Sequence, residues 1–411
     1  MVYARWIRNV AIQSIAETTG GMNVEKITDR LLSWASIIEE NTLQQALQTS
    51  TMPFIYPHVA LMPDAHLGKG STVGSVVPTV GAIIPACVGV DIGCGMIAVQ
   101  TEFYREELEG FDLSKLREAI EWAIPLSKGN YNQNITTTAE VRINELEGAI
   151  PPHHEHQPLD NNWKYQLGSL GSGNHFIEVS YDEEDRVWLF LHSGSRGVGN
   201  KLALMHIKVA QKLAKKYFIG LPDPDLAYIP DYTEEFGRYI EDLNWAQRFA
   251  LLNREEMMDR VVMMFEEFVD DAVNERQRIN CHHNFTQKEN HFGRNVWLTR
   301  KGAIQADEGR LGLIPGSMGT ASYVVAGKGN KLSMNSSPHG AGRVYSRSRA
   351  RKTFTQEDLE KAMGGIEWRR GGPFIDEIPA AYKPIDVVMR DAEDLVTIKH
   401  TLHQLVNVKG D

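Results

Sequence analysis

The spacing of apolar residues changes along the chain, and the changes divide it into helical and sheet-forming stretches. Residues 1–50 read as a helical segment, because Ile27, Leu31, Trp34 and Ile37 or Ile38 recur at three- and four-residue intervals between Val24 and Leu47. From Pro53 to Gln100 short apolar runs such as Ala82-Ile83-Ile84-Pro85-Ala86-Cys87-Val88 alternate with Gly and Pro, which predicts strands and turns of a sheet core. Residues 111–125 predict an amphipathic helix capped by Asp112 or Ser114, with Leu116, Ile120 and Ala123 on its apolar stripe. Residues 129–165 are polar and read as irregular, with Pro151-Pro152-His153-His154-Glu155-His156 as a surface loop. Val187 to Leu191 predicts a buried strand ending at His192, followed by a helix over 199–216 and a Pro/Asp loop over 221–235. The longest helix is expected at about 243–279, with Trp245, Phe249, Leu252, Val261, Phe265 and Phe268 on its apolar face, running into Cys281-His282-His283. Val296 to Ala303 predicts a strand and turn, and Thr355-x-x-Asp358 the capped start of a short helix. No repeat, low-complexity linker or break in composition interrupts the pattern, so residues 1–411 read as one interlocked domain of helices and sheets.

Composition narrows the class. With 42% hydrophobic and 23% charged residues, the 411-residue chain fits a soluble globular protein. It has no apolar run of about 18 residues, so no membrane span is expected. The opening Met-Val-Tyr-Ala-Arg-Trp lacks a signal-peptide pattern. Three cysteines, none in a CxxC pair, point to a reducing compartment and a cytoplasmic location. The net charge of −10 does not predict nucleic-acid binding; a local patch would have to supply it, and Arg343, Arg347, Arg349, Arg351 and Lys352, with Arg369-Arg370, are the candidates.

The chemistry gathers at glycine-rich turns. Gly89-Val90-Asp91-Ile92-Gly93-Cys94-Gly95-Met96 places a carboxylate and a thiol three residues apart on a tight loop, half of a metal site. His175, His192 and His283 also stand beside glycine-rich or strand-end turns. Together these donors suit one ion, or two if the thiolate bridges, with Zn²⁺ and Mn²⁺ both compatible. Gly316-Ser317-Met318-Gly319 reads as an anion nest. His339, between Pro338 and Gly340 with Arg343 shortly after, suits a nucleophile or general acid at phosphorus. Met62 to Gly70 resembles a phosphate loop but departs from GxxxxGK[ST], and Lys-x-Asp-Gly, the mark of lysine-adenylating ligases, is absent. These residues favour a metal-dependent enzyme acting on phosphate-bearing substrates, and leave hydrolase and ligase both open.

Taken together, Pro63-Asp64-Ala65-His66-x-Gly68-Lys69-Gly70, Gly89 to Met96, Gly171-x-Gly173-Asn174-His175-Phe176-x-Glu178, His192-Ser193-Gly194-Ser195-Arg196-Gly197, His283-Asn284, Pro315 to Gly319 and His339-Gly340-Ala341-Gly342-Arg343 resemble the RtcB family of RNA-splicing and repair ligases. The resemblance implies that family's own α+β architecture, mixed sheets flanked by helices. It implies a ligase dependent on GTP and two Mn²⁺ ions that joins RNA 3′-phosphate or 2′,3′-cyclic phosphate ends to 5′-hydroxyl ends, transfer-RNA halves among them. His339 matches the guanylylated histidine. Cys94 matches a thiolate bridging the two ions, Asp91 and His175 the other ligands of one, His192 and His283 those of the second. Asn174, Glu178, Asn284, Ser317, Ser322, Tyr382 and Lys409 match nucleotide-site positions, with Tyr382 stacking on guanine and Lys409 contacting it. Asp64, Arg343, Arg347 and Arg349 are candidate RNA or phosphate contacts. An activator of the archease type is a further partner the family implies. Two rival readings use the same residues: a two-metal phosphoesterase or nuclease acting on RNA, and a non-catalytic RNA-binding protein.

Overall fold

The computed structural model describes residues 23–156, 159–371 and 373–411. The apolar runs pair into two main sheets, as an α+β architecture. One has six strands in the order Glu25–Thr28, Leu31–Ser33, Val59–His66, Val73–Thr79, Arg294–Lys301 and Asn284–His291. The other has eight; its path runs Gln277–His282, Gly95–Tyr104, Arg186–Ser193, Phe176–Tyr181, Val396–Lys409, Ser322–Gly327 and Leu311–Ile314, with Glu367–Trp368 beside Val396–Lys409. Neighbours are antiparallel except at Leu31–Ser33 against Val59–His66 and at Glu367–Trp368.

Both faces of the larger sheet are buried, which explains its near-continuous apolar sequence. Successive side chains of a strand point to opposite faces. Met96, Ala98, Trp188 and Phe190 therefore face one core, shared with Met62, Val76 and Leu298 of the smaller sheet. Ile97, Val99, Leu189 and Leu191 face another, closed by Met257, Met258, Val261 and Phe265 of the long helix. Of the four methionines on that helix, Met257, Met258 and Met264 fill the core and Met263 is exposed. Among the described residues no helix is long and apolar enough to cross a membrane.

Four expectations are corrected. The stretch from Val24 to Leu47 is not one helix: Glu25–Thr28 and Leu31–Ser33 form a hairpin, and a helix begins only at Glu40. Pairing of Leu31 to Ser33 with Val59 to Leu61 overrides the local helical spacing; residues 1–22 lie outside the described residues. The longest helix is Glu234–Val269, not 243–279. Asp270 ends it in a left-handed conformation, φ +57°, and Gln277–His282 becomes an edge strand against Gly95–Gln100. Within the supposedly irregular 129–165, Thr137–Gly148 is a helix capped by Thr136 that buries Ala139, Ile143 and Leu146. The Pro151–His156 stretch lies at the surface, with Pro152, Glu155 and His156 exposed, but Pro152–Glu155 is one 3₁₀ turn and His154 is buried.

Candidate metal and nucleotide site

In an antiparallel sheet the end of one strand lies beside the start of the next. The register pairs Gly95 with both His282 and Ser193, and Phe176 with both His192 and Lys409. That single arrangement brings Cys94, His175, His192, His283 and Lys409, distant in sequence, to one end of the larger sheet. Two glycines make the approach feasible. Gly93 turns the chain at φ +70°, which side chains rarely adopt, and a Cβ on residue 95 would collide with the Cys281 carbonyl oxygen.

Two groups of donors converge there, Cys94 with His192 and His283, and Cys94 with Asp91 and His175; within each group the ligand atoms lie within 4.8 Å of one another. Cys94 Sγ stands 3.5 Å from His175 Nε2 and 3.3 Å from His192 Nε2, and His175 Nε2 stands 3.1 Å from Asp91 Oδ2. Each imidazole has an oxygen acceptor at its other nitrogen: Leu170 O for His175 at 2.9 Å, Asn174 O for His192 at 3.1 Å and Asn284 Oδ1 for His283 at 3.2 Å. Those acceptors assign the proton to Nδ1 and leave Nε2 as a bare lone pair. The consequence is sharpest at His192 and His283, whose Nε2 atoms face each other at 2.9 Å. Two lone pairs at that distance require a cation between them. Burial holds both histidines well below their ordinary pKa, which disfavours a proton there. The donor set therefore fits a metal ion, with Cys94 shared between two positions. Burial, with the neighbouring Asp91 charge, pushes the Cys94 thiol well up, so an ion bound there must displace its proton.

Arg254, which sequence reasoning missed, fixes the segments that carry these ligands. Fully buried on the long helix, it donates from Nη1 to Gly93 O at 2.7 Å and Ser193 O at 3.1 Å, and from Nε to Asn280 Oδ1 at 2.8 Å, while Nη2 lies 3.1 Å from His282 Nδ1. One guanidinium thus ties the residues next to Cys94, His192 and His283. An arginine on the otherwise apolar face of a helix was the available signal.

A cavity of about 360 Å³ opens beside the donors. Of the residues singled out from sequence, Asp91, Cys94, His192, His283, His339, Asn174, Glu178, Asn284, Ser317, Tyr382, Lys409, Arg343 and Arg347 line it. The His339 ring lies tilted against His283, ring centroids 4.5 Å apart. Glu178 is buried with Ser322 Oγ donating to it at 3.4 Å and Asn407 Nδ2 at 3.2 Å. Burial raises its carboxyl to about 8 against the opposing pull of Lys409.

Three placements differ from expectation. Asp64 is not on the cavity wall; fully buried, it lies behind His339 and accepts from that ring, which accounts for its motif without any RNA contact. Arg349 does not line the cavity and packs its guanidinium over the Tyr345 ring at 4.5 Å. At the Gly316–Gly319 turn, the Ser317 and Gly319 amides already donate to Thr320 Oγ1 and Gln404 Oε1, which leaves less of an anion nest than the sequence predicts. The basic stretch is also partly neutralised. Arg343 donates to Tyr382 Oη at 2.7 Å, Arg347 to Asp376 at 2.9 Å and to Glu377, and Arg351 to Asp376 at 3.2 Å. Glu377, Lys301 and Asn407 line the cavity without having been singled out.

Comparison with known proteins adds an independent line. The family model described as tRNA-splicing ligase RtcB matches residues 45–410. RNA-splicing ligase RtcB of Escherichia coli K12 is 47% identical over 390 residues, covering 91% of this chain and 95% of that protein. tRNA-splicing ligase RtcB of Thermococcus kodakarensis is 31% identical over 424 residues, covering 86% and 87%. With the family's model spanning nearly the whole chain and its motifs meeting at one cavity, this protein belongs to the RtcB family.

Proposed function

We propose that the protein is an RNA ligase that joins an RNA 3′-phosphate or 2′,3′-cyclic phosphate end to a 5′-hydroxyl end, using GTP and two Mn²⁺ ions, in RNA repair or tRNA splicing in the cytoplasm. The reading takes the chain as one catalytic domain. Its main support is the pair of facing lone pairs on His192 and His283, joined through Cys94 to Asp91 and His175, beside a histidine held by a buried carboxylate. Asp91, Cys94, His175, His192 and His283 would hold the ions, which neutralise phosphate charge at the attacked phosphorus.

The chain's own residues account for the rest. Asp64 accepts from His339 Nδ1 at 2.6 Å, which leaves Nε2 as the nucleophile. Nε2 attacks the α-phosphorus of GTP, a P–N bond forms and pyrophosphate leaves. An oxygen of the RNA 3′-phosphate then takes the guanylyl group and returns the electron pair to Nε2. Attack of the 5′-hydroxyl on the RNA phosphorus expels GMP and closes the strand; a cyclic phosphate must first be opened by water. Glu178 and Lys409 stand together to read guanine, and Tyr382 to stack on it.

GTP labelled in its α-phosphate, incubated with the protein and Mn²⁺ under reducing conditions, should leave covalent label on the wild type. His339→Ala should abolish it, and ATP should label weakly or not at all. A wild type that takes up no label would overturn the ligase reading. Hydrolysis of cyclic-phosphate RNA halves without joining would favour the phosphoesterase.

A further inference from the structure

We propose that His153, His154 and Asp242, the carboxylate oriented by His206, bind one divalent transition-metal ion of the zinc type, which staples the Pro152–Glu155 turn to the helix Glu234–Val269. The three imidazoles converge through the same atom. Nε2 of His153 and of His154 lie 2.9 and 2.7 Å from Asp242 Oδ1, and Nε2 of His206 lies 2.6 Å from Asp242 Oδ2. The nitrogens of His153 and His154 and the carboxylate oxygen all fall within 4.8 Å of one another. His153, His154 and Asp242 make a three-donor set that zinc accepts without a thiolate, while His206, bonded to the carboxylate's other oxygen and outside that group, orients Asp242.

The surroundings suit a bound ion. Asp242, His206 and His154 are buried, and only His153 reaches solvent, with its side chain 15% exposed. His153 and His154 are adjacent on a turn that begins with two prolines, and their rings lie tilted with centroids 4.5 Å apart, both Nε2 atoms on one oxygen. The Nδ1 atoms of His153 and His206 are buried with no hydrogen-bond partner. An ion at His153 Nε2 moves its proton to Nδ1, and Glu241 Oε2, 3.3 Å away, stands ready to accept it, the carboxylate–imidazole–metal arrangement. A cavity of about 230 Å³ borders His154 and gives an approach. The separations of 2.6–2.9 Å are hydrogen-bond distances, shorter than ligand edges around zinc. The donors at Cys94 close up in the same way, with His192 and His283 at 2.9 Å. The two sites are separate: Asp242 and Arg254 lie about 18 Å apart along one helix.

Cobalt distinguishes the sites, because a thiolate ligand gives an intense charge-transfer band and an imidazole–carboxylate set gives only weak d–d bands. The full chain is stripped with a chelator, loaded with Co²⁺, freed of unbound ion, and its cobalt counted. His153→Ala should lose one cobalt equivalent per chain, keep the thiolate band and lower Tm, and His206→Ala should hold that cobalt more weakly with the band unchanged. His153→Ala removes a ring at the protein's surface and decides the matter if His206→Ala does not fold. Equal cobalt counts in the parent and His153→Ala would overturn the proposal, leaving a purely hydrogen-bonded cluster. Loss of the thiolate band together with the cobalt would overturn it too, because the ion would then belong to the Cys94 site. Guanylylation enters neither readout, so failure of the ligase reading and of this one can be told apart.

Discussion

Asp64 Oδ2 lies 2.6 Å from His339 Nδ1 and 3.1 Å from the same residue's backbone nitrogen, so one buried carboxylate oxygen fixes both the ring and the chain that carries it. The ring's other nitrogen is thereby turned to the cavity with its lone pair free. On the proposed mechanism the carboxylate would also stabilise positive charge on the ring while Nε2 is bonded to phosphorus. Asp64→Asn keeps the shape and removes the charge. It should slow guanylylation about 10²- to 10⁴-fold, the usual range for a positioned proton-transfer partner, while metal loading stays at the parent level. Single-turnover labelling from GTP reads the rate, and equal rates in the two proteins would count against His339 as the nucleophile.

Arg254 makes a second expectation. Replaced by Met, it leaves the Gly93 and Ser193 carbonyls without their donor and unties the three ligand-bearing segments. Arg254→Met should weaken Mn²⁺ binding roughly 10- to 100-fold, as loss of groups that orient metal ligands does. Arg254→Lys should rescue little, because a single ammonium cannot reproduce a planar fork that spans four acceptors. A Mn²⁺ titration checks both, and unchanged affinity with a lowered Tm would make Arg254 structural only.

The sequence displayed the parts of the site better than their supports. Cys94 and His192 sit beside glycines and His283 in a Cys-His-His-Asn run, where spacing and residue type show in a single local window. What holds them does not. Arg254 looks like one more charged residue on a helix, and the partnership of Asp64 with His339 joins positions 275 residues apart. The same distinction governs the fold. Trp188 to Leu191 reads as a strand because both of its faces are buried, whereas Glu25 to Ser33 has helical spacing and becomes a hairpin only because Val59 to Leu61 offers an edge. His153 and His154 looked like a loop because Asp242 and His206 approach from two separate helices.

Cys94 is the atom shared by both donor groups, so its loss should affect both ions. Cys94→Ala should bind less than half the Mn²⁺ of the wild type and show no guanylylation of His339. Cys94→Ser, with a harder oxygen donor, should retain weak Mn²⁺ binding and recover part of the labelling at high Mn²⁺. Chelator treatment of the wild type should abolish labelling, and Mn²⁺ should restore it. Labelling of Cys94→Ala at the normal rate would place the metals elsewhere.

Glu178 ties nucleotide affinity to pH. Burial raises its carboxyl to about 8, against the opposing pull of Lys409, so in the nucleotide-free protein it is mostly protonated at neutral pH. Guanine presents its ring N–H and 2-amino group as donors and calls for the ionised carboxylate. Binding below about pH 8 must therefore release a proton, and affinity should climb by up to about tenfold per pH unit towards that value and level off above it. The folded value lies above the ordinary one, so this carboxyl favours the nucleotide-free fold below its ordinary range and loses that contribution as pH rises through about 8. Guanine nucleotide should accordingly raise Tm more at the upper end of the window. Glu178→Gln removes the titrating group, and the difference between parent and variant cancels the titration of the nucleotide's own phosphates. Calorimetry in two buffers of different ionisation enthalpy should find about one more proton released by the parent near neutral pH, with guanine preference over adenine reduced about a hundredfold in the variant. Equal proton release in the two proteins would show that Glu178 does not meet the base.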